Sequence, residues 1–464
     1  MIFNPENLVT KEGTFKFKGN LEVEANRSVN KDILNELWFG HTFHTSKISL
    51  VQTEEMIFKT GKADPISLDG YLYTLNVTEN GITLCAENKK GLLNGFMTLI
   101  DRIKINEDNV LSIDCCEIKE KPLFDNRMVH FCVFPDTKLY ELERFVRLSG
   151  TLRYSHIIIE FWGMIKYDCL KELSWTHGFS KEEIKPIIQQ ANDLGIEVIP
   201  MFNHWGHASS SRSIHGKHVV LDQNPSLQYL FSDDGWCWNI KCGKTKSLLK
   251  EIRSELIELC GNGEYFHIGC DEAYGFDKAY VKDVCDYINE INDDLNSVGR
   301  KTIMWGDMLI YNDKNFNPVN KYCALASDKE CEKFFLNNIS KNIIIADWQY
   351  WAKEAPVETS VVLKNAGFEV LVCPYDIGCN ESDSCIETIK KYKLKGLIHT
   401  TWHTLSSGMH HVLRNGVACW ENNYKDTASC LYVTRTASAL RKVYFVNGDY
   451  NKSGWAEYEI PLKG

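Results

Sequence analysis

From about residue 120 the chain repeats one unit: a short apolar run, a loop, then an amphipathic helical stretch. Eight such runs are present: "NRMVHFCV" from Asn126, "YSHIIIEF" from Tyr154, "IEVIPMF" from Ile196, "EYFHIG" from Glu264, "RKTIMWG" from Arg300, "NIIIADW" from Asn342, "FEVLVCP" from Phe368 and "KGLIHTTW" from Lys395. Several are almost continuously apolar, as parallel strands buried on both faces require. Stripes at helical spacing lie between them. Ile184, Ile187, Ile188, Ala191 and Leu194 precede the third run, and Leu249, Ile252, Leu256, Leu259 and Cys260 precede the fourth. Val281, Val284, Cys285, Ile288, Ile291 and Leu295 follow the fourth. Gly195 stands where a C-cap would end a helix. This alternation predicts an α/β fold, either a (β/α)8 TIM barrel or a doubly wound open sheet, which alternates in the same way.

Residues 1–118 read as a small α+β domain, with short strands in "GTFKFKG", "KISLV", "YLYTLNV" and "GITLCAE", a hairpin turn at "TENG" and a helix in "KKGLLNGFMTLIDRI". Residues 119–464 form the second domain, which "CWENNYKDTASCLYVTRTASALRKVYF" closes with helices. No proline-rich linker separates the two, so they are expected to pack together.

The net charge of -10 argues against nucleic acid. The basic "KKYKLKG" reads as the solvated end of a helix. Seventeen cysteines without CxxC or zinc-finger spacing suit free thiols in a reducing compartment, hence a cytoplasmic location. "MIFNPENLVT" lacks the features of a signal peptide, and no apolar stretch is long enough to span a bilayer, so no membrane partner is expected.

In a barrel the chemistry sits where the strands end. These ends are polar and aromatic: Arg127 and His130, Glu160 and Trp162, His204 and His207, Asp271 and Glu272, Trp305 and Asp307, Trp348 and Tyr350, Tyr375 and Asp376, Trp402 and His403. Taken singly, Asp271 reads as a helix N-cap, the tryptophans as core and the histidines as hydrogen-bonded core residues. Together they suggest a sugar pocket. Metal binding by His204 and His207 with an acid from another strand is the minor reading.

"HIGCDE" resembles the His-x-Gly-x-Asp-Glu signature of family 20 glycoside hydrolases, the β-N-acetylhexosaminidases. "SHIIIEFWGM", "IEVIPMFNHWGH", "YFHIGCDEAYG" and "TIMWGDML" follow in the order of the hexosaminidase D branch, to which the match is nearest. The segment from Asp69 to Ile103 is similar to that family's small domain. The resemblance implies the barrel rather than the open sheet, a carbohydrate substrate, and neither metal nor cofactor; a homodimer is left open.

It also implies roles. Glu272 matches the general acid, whose function asks for an apolar aromatic surround, and Asp271 matches the residue that holds the substrate acetamido N–H. Two adjacent acids on an extended segment point in opposite directions and are poorly placed as an ordinary acid and nucleophile; in this family the substrate's own 2-acetamido group is the nucleophile. Arg127 matches the arginine that grips sugar hydroxyls. Trp305, Trp348 and Trp402 match aromatics around the N-acetyl group and sugar, and His207 a supporting histidine. Tyr375, with Tyr350 in reserve, matches the tyrosine that donates to the acetamido oxygen.

Departures from the common pattern are Met128 after Arg127, Asn203 where an Asp is usual, and Thr404 in place of a glutamate that contacts distal hydroxyls. The choice between GalNAc and GlcNAc therefore stays open, with a lean to GalNAc. The alternatives are a glycosidase for a sugar without a 2-acetamido group, or a catalytically silent sugar-binding barrel.

Overall fold

The computed structural model describes residues 1–62, 67–209, 218–313, 322–375, 381–402, 408–422, 424 and 429–444. Asp376, His403 and Thr404 lie outside them.

Eight parallel strands close in chain order: Asn126–Cys132, His156–Glu160, Glu197–Met201, Tyr265–His267, Lys301–Trp305, Ile344–Trp348, Glu369–Cys373 and Gly396–Thr400. The eighth returns to pair with the first, Ile398 opposite Met128, so the sheet is a barrel and not an open sheet. Alternation along each strand decides its two faces. Met128, Ile158, Ile199, Ile303, Ile344, Leu371 and Ile398 fill the barrel interior. Val129, Phe131, Ile157 and Ile159 face the helices in the outer core.

The helical stripes are the buried faces. Lys181–Asp193 opens with a capping box between Ser180 and Glu183 and buries Ile184, Ile187, Ile188 and Ala191. Gly195, at φ +74°, releases the chain into the third strand. Gly243–Cys260 buries Leu249, Ile252, Leu256, Leu259 and Cys260. Val281–Ser297 buries its stripe from Val284 to Leu295, with Val281 half-buried.

Ahead of the barrel, seven strands form a sheet in the order Leu8–Phe17, Leu111–Glu120, Tyr73–Thr78, Gly81–Ala86, Ile57–Gly61, Leu21–Asn26, Ile48–Thr53, with Lys104–Ile105 pairing beside Leu111–Glu120. Helix Lys89–Ile100 packs closely on this sheet because Gly95 has no side chain; a Cβ there would lie 2.4 Å from Leu84 Cδ1. One continuous core runs from the sheet into the barrel shell. A buried polar knot joins the two units. The Arg153 guanidinium lies between the rings of Phe3 and Trp420, at 3.7 and 4.0 Å, and donates to Glu120 at 2.7 Å.

Candidate active site

The fourth strand is only three residues long because the chain turns sharply behind it: Gly269, Cys270 and Glu272 have φ of +66°, +73° and +47°. Glycine is required at 269, where a Cβ would lie 1.5 Å from Asn203 Oδ1. That oxygen accepts the Cys270 N–H at 2.8 Å, so Asn203, just beyond the third strand, pins the turn. Gly206 allows an equally close approach; its Cβ would lie 2.1 Å from the Asp271 carbonyl oxygen. The next α-helix begins at Val281, behind a short 3-10 turn capped by Asp277. Asp271 is therefore no helix cap.

The expectation that the two acids diverge is corrected by this turn. It assumed an extended segment, whereas the left-handed backbone at Cys270 and Glu272 brings both side chains to one imidazole. His207 Nε2 lies 3.4 Å from Asp271 Oδ2 and 3.1 Å from Glu272 Oε2. Asp271 is buried, while the Glu272 side chain is 28% exposed.

Three further contacts fix Glu272. Its Oε1 accepts the Tyr274 hydroxyl at 2.6 Å, its carbonyl accepts the Trp236 indole N–H at 2.6 Å, and its own N–H donates to Asp307 Oδ2 at 2.9 Å. Trp236 in turn packs on His207, with ring centroids 4.5 Å apart, and stacks on Tyr274 at 5.8 Å. Asp307 Oδ1 accepts the Trp348 indole N–H at 3.2 Å. Burial pushes the Asp307 carboxyl up to about 8, and the negative charge of Asp271 adds to the effect.

The aromatic strand ends converge. Trp305 packs on His267 at 4.4 Å and lies 5.8 Å from Trp402; Trp348, Tyr350 and Tyr375 follow one another at 5.1 and 5.2 Å. The Tyr350 hydroxyl is engaged by Thr400 and by the Trp402 indole N–H. A buried acid beside a partly exposed one, walled by indoles and phenols, can bind a sugar face and place proton donors at its edge.

Residues 163–391 match the glycosyl hydrolase family 20 catalytic domain. The barrel is a family 20 catalytic domain. The chain is 29% identical to hexosaminidase D of Bos taurus over 140 residues, 30% of this chain and 38% of that protein. It is 22% identical to beta-hexosaminidase subunit A1 of Dictyostelium discoideum over 329 residues, 64% of this chain and 60% of that one. The chain spans 23% to 60% of the length of the curated relatives it matches. Among solved structures, the family 20 exo beta-N-acetylglucosaminidase of Vibrio harveyi superposes with a TM-score of 0.68 at 15% identity, over 96% of this chain and 77% of that one, which shows the shared fold.

Within the family 20 barrel, Asp271, Glu272, His207, Trp305, Trp348, Trp402, Tyr350 and Tyr375 share the C-terminal end. Arg127 does not join them. It is the second residue of the first strand, opposite Leu397 near the start of the eighth, and it points outward where Met128 and His130 point in. Its guanidinium donates to the carbonyls of Arg153, Phe124 and Asp125 and lies over Trp420. The two faces of a strand differ by one residue, so Arg127 is committed to the domain junction and cannot grip a substrate at the mouth.

His204 is separate from His207. Its ring is fully buried beside the Phe202 carbonyl, and burial holds it down at about 3, hence neutral. Asp307 stood among the polar strand ends but carried no role in the sequence; Trp236, Tyr274 and Asn203 gave no periodic signal, because they act from turns.

Proposed function

We propose that this protein is an exo-β-N-acetylhexosaminidase that removes terminal β-linked GalNAc or GlcNAc with retention of configuration. The observation that carries the reading is His207 joining Asp271 and Glu272 at the aromatic mouth of a family 20 barrel.

The 2-acetamido oxygen attacks the anomeric carbon as the bond to the departing oxygen breaks, and Glu272 gives that oxygen its proton. An oxazolinium ion results, the family's exception to the two-carboxylate route. Asp271 accepts the acetamido N–H and stabilises the positive charge that appears on the ring; a buried, fixed carboxylate is strongest at the moment the charge develops. Glu272 then takes a proton from water, which adds to the anomeric carbon and restores the acetamide. Trp348 and Trp402 supply apolar surface around the sugar, and the fully buried Trp305 packs against Trp402. Tyr375 is the first candidate donor to the acetamido oxygen and Tyr350 the reserve, since the Tyr350 hydroxyl accepts from Thr400 and from the Trp402 indole N–H and keeps its own proton to donate.

GalNAc is favoured over GlcNAc in this reading on the likeness to the hexosaminidase D branch. A cytoplasmic site of action is supported by seventeen cysteines without CxxC or zinc-finger spacing, which suit a reducing compartment.

The test is a panel of aryl GlcNAc, GalNAc and 2-hydroxy glycosides with wild type, Glu272→Gln and Asp271→Asn, plus a thiazoline mimic of the oxazolinium ion. Turnover of both acetamido sugars, inhibition by the thiazoline and loss of activity in both variants are expected. Full activity in both variants, or equal turnover of the 2-hydroxy glycosides, removes the assignment.

A further inference from the structure

Three side chains at the ends of the first two barrel strands form a group that the sugar chemistry does not use. His130 and Cys132 alternate on the first strand, and Cys132 stands directly opposite Glu160 in the parallel register. Period two sends all three inward, on the face that Met128 and Ile158 line lower in the barrel. All are buried: His130 and Cys132 at 0% exposure and Glu160 at 2%.

Their ligand atoms make a compact triangle. His130 Nε2 lies 3.8 Å from Cys132 Sγ and 3.6 Å from Glu160 Oε2, and Sγ lies 3.3 Å from Oε2. A tetrahedral zinc ion bound at about 2.3 Å to sulfur and about 2.0–2.1 Å to nitrogen and oxygen spans ligand edges of roughly 3.3–3.6 Å. Each edge of the triangle is thus within about 0.3 Å of what the ion needs, on strands whose backbones are already paired.

We propose that His130, Cys132 and Glu160 form a three-ligand site for a zinc-class divalent ion that fastens the first barrel strand to the second beside Trp402. On binding, Cys132 loses its S–H proton to solvent as the sulfur–metal bond forms, Glu160 ligates as carboxylate and His130 as neutral imidazole; no electron is transferred. A dication with one thiolate and one carboxylate is neutral overall, which lowers the cost of burying it. Thiolate and imidazole select zinc-class ions over magnesium or calcium. The fourth position is left to water.

The ion would also fix the His130 ring. Among the described residues its Nδ1 has no hydrogen-bond partner, and the ring packs edge-on against Trp402 and Trp305 at 4.9 and 5.9 Å. Zinc would therefore support the aromatic wall without taking part in the proton transfers of Asp271 and Glu272.

The experiment uses untagged, chelator-stripped protein titrated with zinc, read by elemental analysis and thermal unfolding, and with cobalt(II), read by absorption. Expected are one tightly held equivalent per chain, proton release on uptake, a raised Tm and a thiolate-to-cobalt charge-transfer band in the near ultraviolet. Cys132→Ser loses the band and the tight equivalent, Cys132→Asp keeps the equivalent without the band, and Cys85→Ser, in the N-terminal sheet, keeps both. The proposal fails if stripped wild type takes up no tight equivalent, in which case the triad is a thiol–carboxylate hydrogen bond only, or if the band survives in Cys132→Ser. The wild-type titration decides by itself if a variant does not fold, and none of these readouts depends on glycosidase activity.

Discussion

Asp307 accepts the backbone N–H of Glu272 at 2.9 Å, so the carboxylate after the fifth strand holds the main chain of the proposed acid on the fourth. Its second oxygen holds the Trp348 indole, which makes one buried side chain common to the acid and the aromatic wall.

That carboxyl is raised to about 8, chiefly by burial and then by the charge of Asp271. The native state therefore keeps a proton that the unfolded chain gives up near pH 4, and stability falls as pH rises between those values. Asp307→Asn removes this penalty. The variant's Tm, measured against wild type, is expected to improve steadily from pH 4 to 8; a difference that does not change with pH would show that Asp307 ionises normally. Because an amide can accept only one of the two N–H bonds, kcat should fall as well, with KM less affected.

His207 faces both acids from one nitrogen. His207→Ala should lower kcat on an aryl N-acetylhexosaminide, by less than the roughly 10²–10⁴-fold expected for loss of the acid itself in Glu272→Gln. Equal losses in the two variants would mean that His207 itself exchanges a proton with substrate.

Gly269→Ala places a methyl group 1.5 Å from Asn203 Oδ1 on a backbone at φ +66°. Strain of this kind costs on the order of 1–3 kcal/mol before the clash is counted. A fall in Tm together with loss of activity is expected, since the turn that carries Asp271 and Glu272 must shift. Denaturant unfolding with an unchanged midpoint would contradict the described turn.

Arg127 tests the corrected assignment. Arg127→Met leaves the carbonyls of Phe124, Asp125 and Arg153 without their donor and should destabilise by roughly 3 kcal/mol or more. The protein that folds should keep its KM. A large rise in KM at unchanged stability would return Arg127 to the substrate.

Much was legible from residues alone. Short unbroken apolar runs such as "HIIIE" read as parallel strands covered on both sides, and the stripe Ile184, Ile187, Ile188, Ala191 reads as a helix facing them. The order of the motifs then brought Asp271 and Glu272 to the end of the fourth strand. Closure of the barrel was decided in three dimensions, because alternation is the same in an open sheet and only the pairing of Gly396–Thr400 with Asn126–Cys132 separates the two. So was the side on which a residue stands: one step along a strand turns Arg127 outward and His130 inward, and positive φ at Cys270 and Glu272 turns two neighbouring acids onto one histidine. Local pattern fixes which elements form, since each needs only its own burial; side-chain convergence depends on register and on backbone at turns, which the packed structure alone supplies.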